Sequence, residues 1–172
     1  AILVLPQSHF NIVRPGIGLY GLWPSGKTKI ALNSGTKKLQ LRPVLTWKTK
    51  IAQIKKVSKG SPVGYGLSER VKRSSILAVL PVGYWDGYDR KLSSIGQVLI
   101  KGKRAKVLGR VCMNMIMVDI TQIPGVKLED GAILLGKDGR NEVTAEELAA
   151  KIGTINYEVV TRINQTIPRI YL

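Results

Sequence analysis

The stretch from Ile76 to Arg90, ILAVLPVGYWDGYDR, decides the fold. Its first five residues form a short apolar run between two serines and a proline, a pattern that predicts a buried β-strand. Pro81 lacks an N–H group, so we expect the strand to end there. Glycines, tyrosines, aspartate and arginine follow within one turn region. Two interpretations stay open: a glycine-rich turn that presents polar groups for chemistry, or a tight turn whose tyrosines cover the core.

The length and composition indicate a globular chain. It has 172 residues, of which 44% are hydrophobic, enough for one core or for one domain plus a piece of another. The longest apolar runs are far too short to cross a bilayer, and no signal peptide is visible, so we expect no membrane partner. The chain opens inside an apolar run without Met, so we expect the native N-terminus upstream. The single cysteine, Cys112, precludes an internal disulfide and fits a cytoplasmic protein.

The formal net charge is +16, which is compatible with binding of a polyanion. However, the basic residues are dispersed along the chain as adjacent pairs and as Lys-x-Lys patterns. On a strand, a Lys-x-Lys pattern puts both lysines on the solvent face, and lysines at a sheet edge block edge-to-edge pairing. We therefore expect solvated faces and no specific nucleic-acid partner. A basic nucleic-acid-binding module stays as an alternative, as does charge complementarity with an acidic partner.

The first part of the chain, residues 1–22, predicts a short strand at residues 2–5. Arg14 is followed by Pro15 and Gly16, so backbone N–H groups there can approach an anion, although an ordinary turn explains the same residues. His9 is the only histidine, and no cluster of Cys, His or carboxylates offers it co-ligands. We therefore expect it to pack or to hydrogen-bond locally, and we expect no metal site.

Residues 23–41 are polar and turn-rich, and we interpret them as a linker before the main domain, residues 42–172. Residues 42–57 predict one long strand, with Trp47 and Ile51 on one face and lysines on the other. The alternation slips near Ile54, which predicts a β-bulge.

Tyr65 stands between Gly64 and Gly66, so its hydroxyl is open to a partner, although a surface loop tyrosine is the simpler interpretation. Residues 97–100 and 105–108 predict a hairpin, and residues 116–120 predict another strand. Cys112 has no histidine near it in sequence, which favours a small buried hydrophobe over a nucleophile.

The C-terminal region predicts two short helices. Residues 144–147, TAEE, are a capping box, Leu148 and Ile152 share one face, and Gly153 ends the first helix. The second helix begins near Thr154. Its inward residues are predicted to be Ile155, Val159 and Ile163. The fold class is thus mainly β: an antiparallel β domain, barrel-like or Greek-key-like, with two short C-terminal helices.

Five motifs, in this order and spacing, resemble the C-terminal part of bacterial alanine racemases. The resemblance runs from about Ser8 to Tyr171. The motifs are RPGIGLYG at residues 14–21, VGYG at 63–66, GYWDGY at 83–88, GRVCM at 109–113 and GTINYE at 153–158.

The resemblance implies a two-domain enzyme. In that family an N-terminal (β/α)8 barrel carries pyridoxal 5'-phosphate on a lysine, and a mostly β domain follows it. Residues 1–22 are then the end of the α/β (TIM) barrel, and the enzyme is a head-to-tail homodimer that interconverts L- and D-alanine for peptidoglycan. A racemase of broad amino-acid specificity is the nearest alternative.

The resemblance also implies roles for single residues. Tyr65 is the second catalytic base and contacts the substrate, and the backbone at Met113 contacts the substrate carboxylate. Cofactor contacts come from the Arg14 side chain, from the N–H groups of Gly16 and Ile17, and from the Tyr157 hydroxyl. The residues implied to line the corridor to the site are Tyr84, Arg90, Arg110 and Ile155.

These roles agree with the chemistry. Racemisation removes a proton on one face and returns it on the other, so it needs two bases, with the cofactor as electron sink. A tyrosine base needs nearby positive charge, because a phenol ionises near pH 10. The sequence departs from the family pattern at Glu69, Trp85 and Asn114, which puts substrate range and rate in question. The cofactor lysine is not among the 172 residues, so we expect the chain alone to be inactive.

Overall fold

The structure is a computed structural model that describes residue 2, residues 5–34 and residues 39–172. The chain divides into two compact units, Ala1–Leu45 and Thr46–Leu172. The predicted strand at residues 2–5 and the middle of the predicted linker lie partly outside the described residues. Among the described residues, no helix combines the length and the apolar character needed to cross a membrane.

The first unit contains short helical segments. Tight 3-10 turns span Pro6–Ser8 and Gly16–Tyr20, and helix α1 spans Gly26–Asn33. The Ser25 side chain caps α1 by accepting the Thr28 N–H at 3.1 Å, and the helix buries none of its residues. The predicted linker therefore includes a capped, exposed helix. The His9 ring lies 2.9 Å from the Ile2 carbonyl oxygen, the local hydrogen bond that the sequence predicts.

The second unit, Thr46–Leu172, is mainly antiparallel β, which confirms the predicted fold class. The strands are β1 Trp47–Lys50, β2 Gln53–Val57, β3 Pro62–Val63, β4 Glu69–Arg70, β5 Ser75–Leu80, β6 Gln97–Ile100, β7 Lys103–Leu108, β8 Ile116–Asp119, β9 Gly131–Asp138 and β10 Asn141–Val143. Seven of them follow one another in the order β1-β9-β6-β7-β8-β5-β2, with β10 paired to β9, and β3 pairs with β4 separately.

The sheet closes on itself at the junction of β1 and β2. These two strands are consecutive in the chain yet occupy opposite ends of the strand order. At the junction the Ile51 N–H donates to Asp130 O and the Ala52 N–H donates to Val79 O, both at 3.0 Å. The prediction of one bulged strand over residues 42–57 is therefore wrong. The slip in alternation marks the point at which the chain changes its pairing partner.

The apolar run that opens the deciding stretch is the interior strand β5. It pairs with β2 on one side and with β8 on the other. Leu77, Ala78 and Leu80 are buried, and the strand ends before Pro81 as predicted. The predicted hairpin is β6 and β7, joined by Lys101 and Gly102. Both turn residues have positive φ, 49° and 70°, which matches the twist of the strands.

Two short helices complete the second unit, α2 over Ala145–Ile152 and α3 over Asn156–Thr161. The Thr144 hydroxyl accepts the Glu147 N–H at 3.0 Å, and Gly153 ends α2 in the left-handed region, as predicted. Val159 and Ile163 are buried. The prediction for Ile155 is wrong: it precedes α3 as its N-cap and is 61% exposed.

Helix α2 is attached to the sheet by a bidentate ion pair between Arg104 and Glu147. The Arg104 guanidinium on β7 donates to both carboxylate oxygens of Glu147, at 2.7 and 2.8 Å. The hydrogen bond from Arg104 lowers the pKa of Glu147, against an opposing effect of burial. The ionised form of Glu147 is therefore favoured in the folded chain.

We expect this ion pair to contribute to acid sensitivity. A carboxyl whose pKa is depressed by folding stabilises above its ordinary pKa of about 4.3, and that stability is lost as pH falls through the folded value. Glu147→Gln should lower the free energy of unfolding at pH 7 and flatten its decline below about pH 4.3. Urea unfolding from pH 7 to pH 2.5 measures both effects. Glu142→Gln, at an exposed position on β10, is the matched control, and parallel curves for E147Q and wild type would contradict the expectation.

Candidate active site

Tyr65 opens a tight 3-10 turn, Tyr65–Leu67, between the paired strands β3 and β4. Its side chain is 72% exposed. Gly64 and Gly66, on either side, both have positive φ, 86° and 69°, and Leu67 follows with φ 53°. The turn therefore depends on glycine conformations and presents the phenol away from the core.

Gly64 packs backbone to backbone against Gly109. A Cβ atom on Gly64 would lie 2.8 Å from the Gly109 Cα and 2.7 Å from the Arg110 nitrogen. A Cβ atom on Gly109 would in turn lie 2.7 Å from the Gly64 Cα. Only two glycines allow this approach, so the VGYG and GRVCM motifs are one structural feature.

The approach of the two glycines puts Arg110 beside the tyrosine turn. The Arg110 N–H donates to the Ser68 hydroxyl at 3.2 Å. Its Nη1 lies 3.1 Å from the position of a Cβ on Gly66. A permanent positive charge therefore lies beside the turn that contains Tyr65.

Met113 is held by the turn that follows β5. The Tyr84 N–H donates to Cys112 O at 3.0 Å, and the Trp85 N–H donates to Met113 O at 2.9 Å. Gly83 lies so close to these two carbonyl groups that a side chain there would overlap both. The GYWDGY and GRVCM motifs are thus also in contact.

The two tyrosines of the deciding stretch have different environments. Tyr84 is exposed, whereas Tyr88 is 1% exposed and packs against Trp47 with ring centroids 6.2 Å apart. The Tyr88 hydroxyl has no hydrogen-bond partner among the described residues. Burial, with a smaller contribution from the charge of Glu147, raises the pKa of Tyr88, so the phenol stays neutral. Tyr88 therefore covers the core, as the second interpretation predicts, whereas Tyr84 faces solvent.

Ile155 and Tyr157 lie at the start of α3, which is linked to the turn Arg90–Leu92. Arg162, just after α3, pairs with Asp89 at 2.7 Å. Asp89 also accepts the Lys91 N–H at 2.8 Å and so caps the turn that contains Arg90. Tyr157 is half-buried in the first turn of the helix, and Arg90 is exposed.

The segment of residues 109–113 connects the Tyr65 turn with the GYWDGY turn. It meets the Tyr65 turn at Gly109 and the GYWDGY turn at Met113. Between them, the Val111 N–H donates to the Ser93 hydroxyl at 3.0 Å, and that hydroxyl donates to Arg90 O at 2.5 Å. In the second unit, four of the motif regions named from sequence therefore belong to one connected framework.

In the first unit, the predicted anion-binding residues form a turn of suitable geometry. Pro15 is in the right-handed helical region, and Gly16 has φ 55°. This alternation directs successive N–H groups, here those of Gly16 and Ile17, towards one side. Nothing lies within 4 Å of a Cβ position on Gly16, while the Ile17 side chain is buried and anchors the turn. Arg14 is exposed.

Sequence reasoning missed the link between Glu69 and Ser94. The Glu69 carboxylate accepts the Ser94 hydroxyl at 2.5 Å and the Gly109 N–H at 2.7 Å. Burial raises the pKa of Glu69, but these hydrogen bonds and the charges of Lys106 and Lys72 outweigh it, so the net shift is downward. In the sequence, Glu69 stands out only as a departure from the family pattern, and no local signal marks Ser94.

No group of three or more His, Cys, Asp or Glu side chains suited to a metal ion occurs in the part of the chain that the structure describes. Cys112, predicted as a small buried residue, is only half-buried, and its thiol lies 3.7 Å from Arg110 O.

Comparison with known proteins identifies the family. The family model for the alanine racemase C-terminal domain matches residues 44–171. An alanine racemase of Leptospira interrogans is 47% identical over 169 residues, covering 98% of this chain and 43% of its own length. Alanine racemase 1 of Clostridium acetobutylicum is 44% identical over 172 residues, covering all of this chain and 43% of its own length.

Solved structures agree. The alanine racemase from Bacillus anthracis with bound L-Ala-P matches 100% of this chain and 42% of its own chain, with 38% identity and a TM-score of 0.89. The alanine racemase of Clostridium difficile 630 matches 100% of this chain and 43% of its own, with 40% identity and a TM-score of 0.87.

The matched region is an alanine racemase C-terminal domain, and the chain spans about 43% of the length of these curated relatives. The chain belongs to the alanine racemase family.

We expect the contact between Gly64 and Gly109 to be sensitive to a single methyl group. Gly64→Ala should lower stability by about 1–3 kcal/mol beyond the backbone strain, because the added atom overlaps a backbone. Gly60→Ala is the control: Gly60 has the same φ of 86° and nothing within 4 Å of its Cβ position, so it reports the strain alone. Urea unfolding of both variants measures the difference, and equal losses would contradict the steric argument.

Proposed function

We propose that this chain is the C-terminal part of a pyridoxal-phosphate-dependent alanine racemase that interconverts L- and D-alanine for peptidoglycan. The observation that carries the proposal is the exposed Tyr65 turn, held against Gly109 with the Arg110 guanidinium beside it. The enzyme is a cytoplasmic homodimer in this proposal, and the second unit of one protomer completes the site on the barrel of its partner.

The residues of the first unit fit the cofactor. The N–H groups of Gly16 and Ile17 suit a phosphate, because such a turn aims both towards one side and no heavy atom lies within 4 Å of the Gly16 Cβ position. Arg14 would hydrogen-bond the pyridine nitrogen of the bound cofactor and, because a guanidinium does not release its proton, would leave that nitrogen unprotonated. The Tyr157 hydroxyl adds a phosphate contact. When bound, pyridoxal phosphate supplies the electron sink for the carbanion at the alanine α-carbon.

The chain's own residues supply one half of the proton transfer. Tyr65 takes or returns a proton at its phenol oxygen on one face of the substrate, opposite a lysine of the barrel domain. Arg110 supplies positive charge beside the tyrosine turn. The backbone at Met113, held by the Trp85 N–H, orients the substrate carboxylate. Tyr84, Arg90, Arg110 and Ile155, all exposed, restrict access of substrate and water.

The central test is Tyr65→Phe in the complete polypeptide. We expect racemisation to fall by about 100- to 10,000-fold in both directions, the range for loss of a general acid–base group. Chiral chromatography of alanine started from each enantiomer measures the rates. Tyr171→Phe, which removes the hydroxyl of an exposed tyrosine outside the site, is the control. Unimpaired inversion by Y65F would refute the assignment.

The 172-residue chain is expected to be inactive alone. Without the barrel lysine, which is both the attachment point of the cofactor and the base opposite Tyr65, only one side of the proton transfer is present. Incubation of the chain with pyridoxal phosphate and L-alanine, followed by assay for D-alanine, tests this. Turnover comparable to that of the complete polypeptide would contradict the two-domain site.

A racemase of broader specificity is the second candidate, favoured by two residues. Asn114 stands where the family usually has aspartate, and Trp85 stands where a small residue is usual; both are exposed. A panel of amino acids assayed on the complete polypeptide distinguishes the two. A kcat/KM for serine or another amino acid within about tenfold of that for alanine would favour the broader enzyme.

A further inference from the structure

Glu69 lies in a closed hydrogen-bond network with two other residues. One carboxylate oxygen accepts both the Gly109 N–H, at 2.7 Å, and the Ser94 hydroxyl, at 2.5 Å. The Ser94 N–H donates to Gly109 O at 3.1 Å and closes the ring. Lys106 faces the other oxygen at 3.8 Å. The carboxylate is therefore held on several sides, although Glu69 belongs to none of the matched motifs.

This network fixes the backbone on which the tyrosine turn rests. Glu69 lies four residues after Tyr65 and Gly109 lies directly before Arg110, so the bond between them clamps both segments. The clamp works at the same place as the packing of Gly64 on Gly109. A shift at Gly109 is transmitted to Gly64 without an intervening side chain.

We propose that Glu69 is a positioning residue that holds the Tyr65 turn and Arg110 in register for proton transfer. The inference deepens the proposed function and rests on it. Glu69 itself does not reach the substrate in this proposal. It acts by keeping the phenol and the guanidinium at a fixed separation from each other, and a displacement of about 1 Å at a catalytic group can reduce rate about 100-fold.

The first experiment compares two substitutions in the complete polypeptide. Glu69→Leu keeps the approximate size but leaves the Gly109 N–H without an acceptor, and we expect kcat to fall about 30- to 100-fold with KM changed less than about threefold. Glu69→Gln keeps an oxygen that accepts both donors, and we expect it to restore kcat to within about fivefold of wild type. Glu142→Gln and Glu142→Leu, at an exposed position on β10, are matched controls.

The deuterium isotope effect separates positioning from general damage. With α-deuterated alanine, E69L should show a larger isotope effect from the enantiomer whose proton Tyr65 removes than from the other. A loss of folded protein lowers both rates and leaves both isotope effects unchanged. If E69L does not fold, Ser94→Ala removes one partner of the carboxylate and is expected to lower kcat about three- to tenfold.

The second experiment does not depend on activity. In the 15N–1H NMR spectrum of the 172-residue chain, the Gly109 amide proton should move upfield and exchange faster in E69L, and much less so in E69Q. An unchanged Gly109 amide, or a kcat of E69L within twofold of wild type, would overturn the inference. Absence of racemisation by the unsubstituted complete polypeptide would instead refute the proposed function and leave the NMR result interpretable.

Discussion

The second unit depends on one exchange of hydrogen-bond partners, at Ile51 and Ala52. Up to Ile51 the chain pairs with β9 and with Asp130 just before it, and from Ala52 it pairs with β5. Ile51 is fully buried at this point. Both ends of the strand order are thus halves of a single continuous segment, which links β9 to β5.

Much of this architecture could be predicted from residues close in sequence. The apolar run of β5, the proline that ends it, the Lys-Gly hairpin and the cap of α2 each depend on local chemistry. The closure could not be predicted, because alternation reports which face a residue occupies and not which strand it pairs with. A slip in the alternation of apolar and polar residues looks the same in the sequence whether it marks a β-bulge or a change of the paired strand.

The candidate site likewise combines features that the sequence predicts with features that only the structure shows. Tyr65 and Gly16 stand out because glycine beside a functional group marks an unusual backbone. The resemblance to a family supplied the roles, and the structure supplied the reason why the motifs occur together: Gly64 contacts Gly109, and Gly83 contacts Met113. The pairing of Glu69 with Ser94 joins residues 25 positions apart. No periodicity encodes such a pair, so sequence reasoning saw only a residue out of pattern.

The closure of the sheet also determines how late during synthesis strand β1 can pair. Lys50 pairs with Gly131, so the ribosome must add 81 further residues before the first strand meets its partner. At 5–20 residues per second this interval lasts roughly 4 to 16 s. During this interval the nascent strand β1 has unpaired backbone N–H and C=O groups, and these are exposed to neighbouring chains. Lys48 and Lys50 lie on that strand, and their mutual repulsion between copies discourages misassembly until the barrel can close.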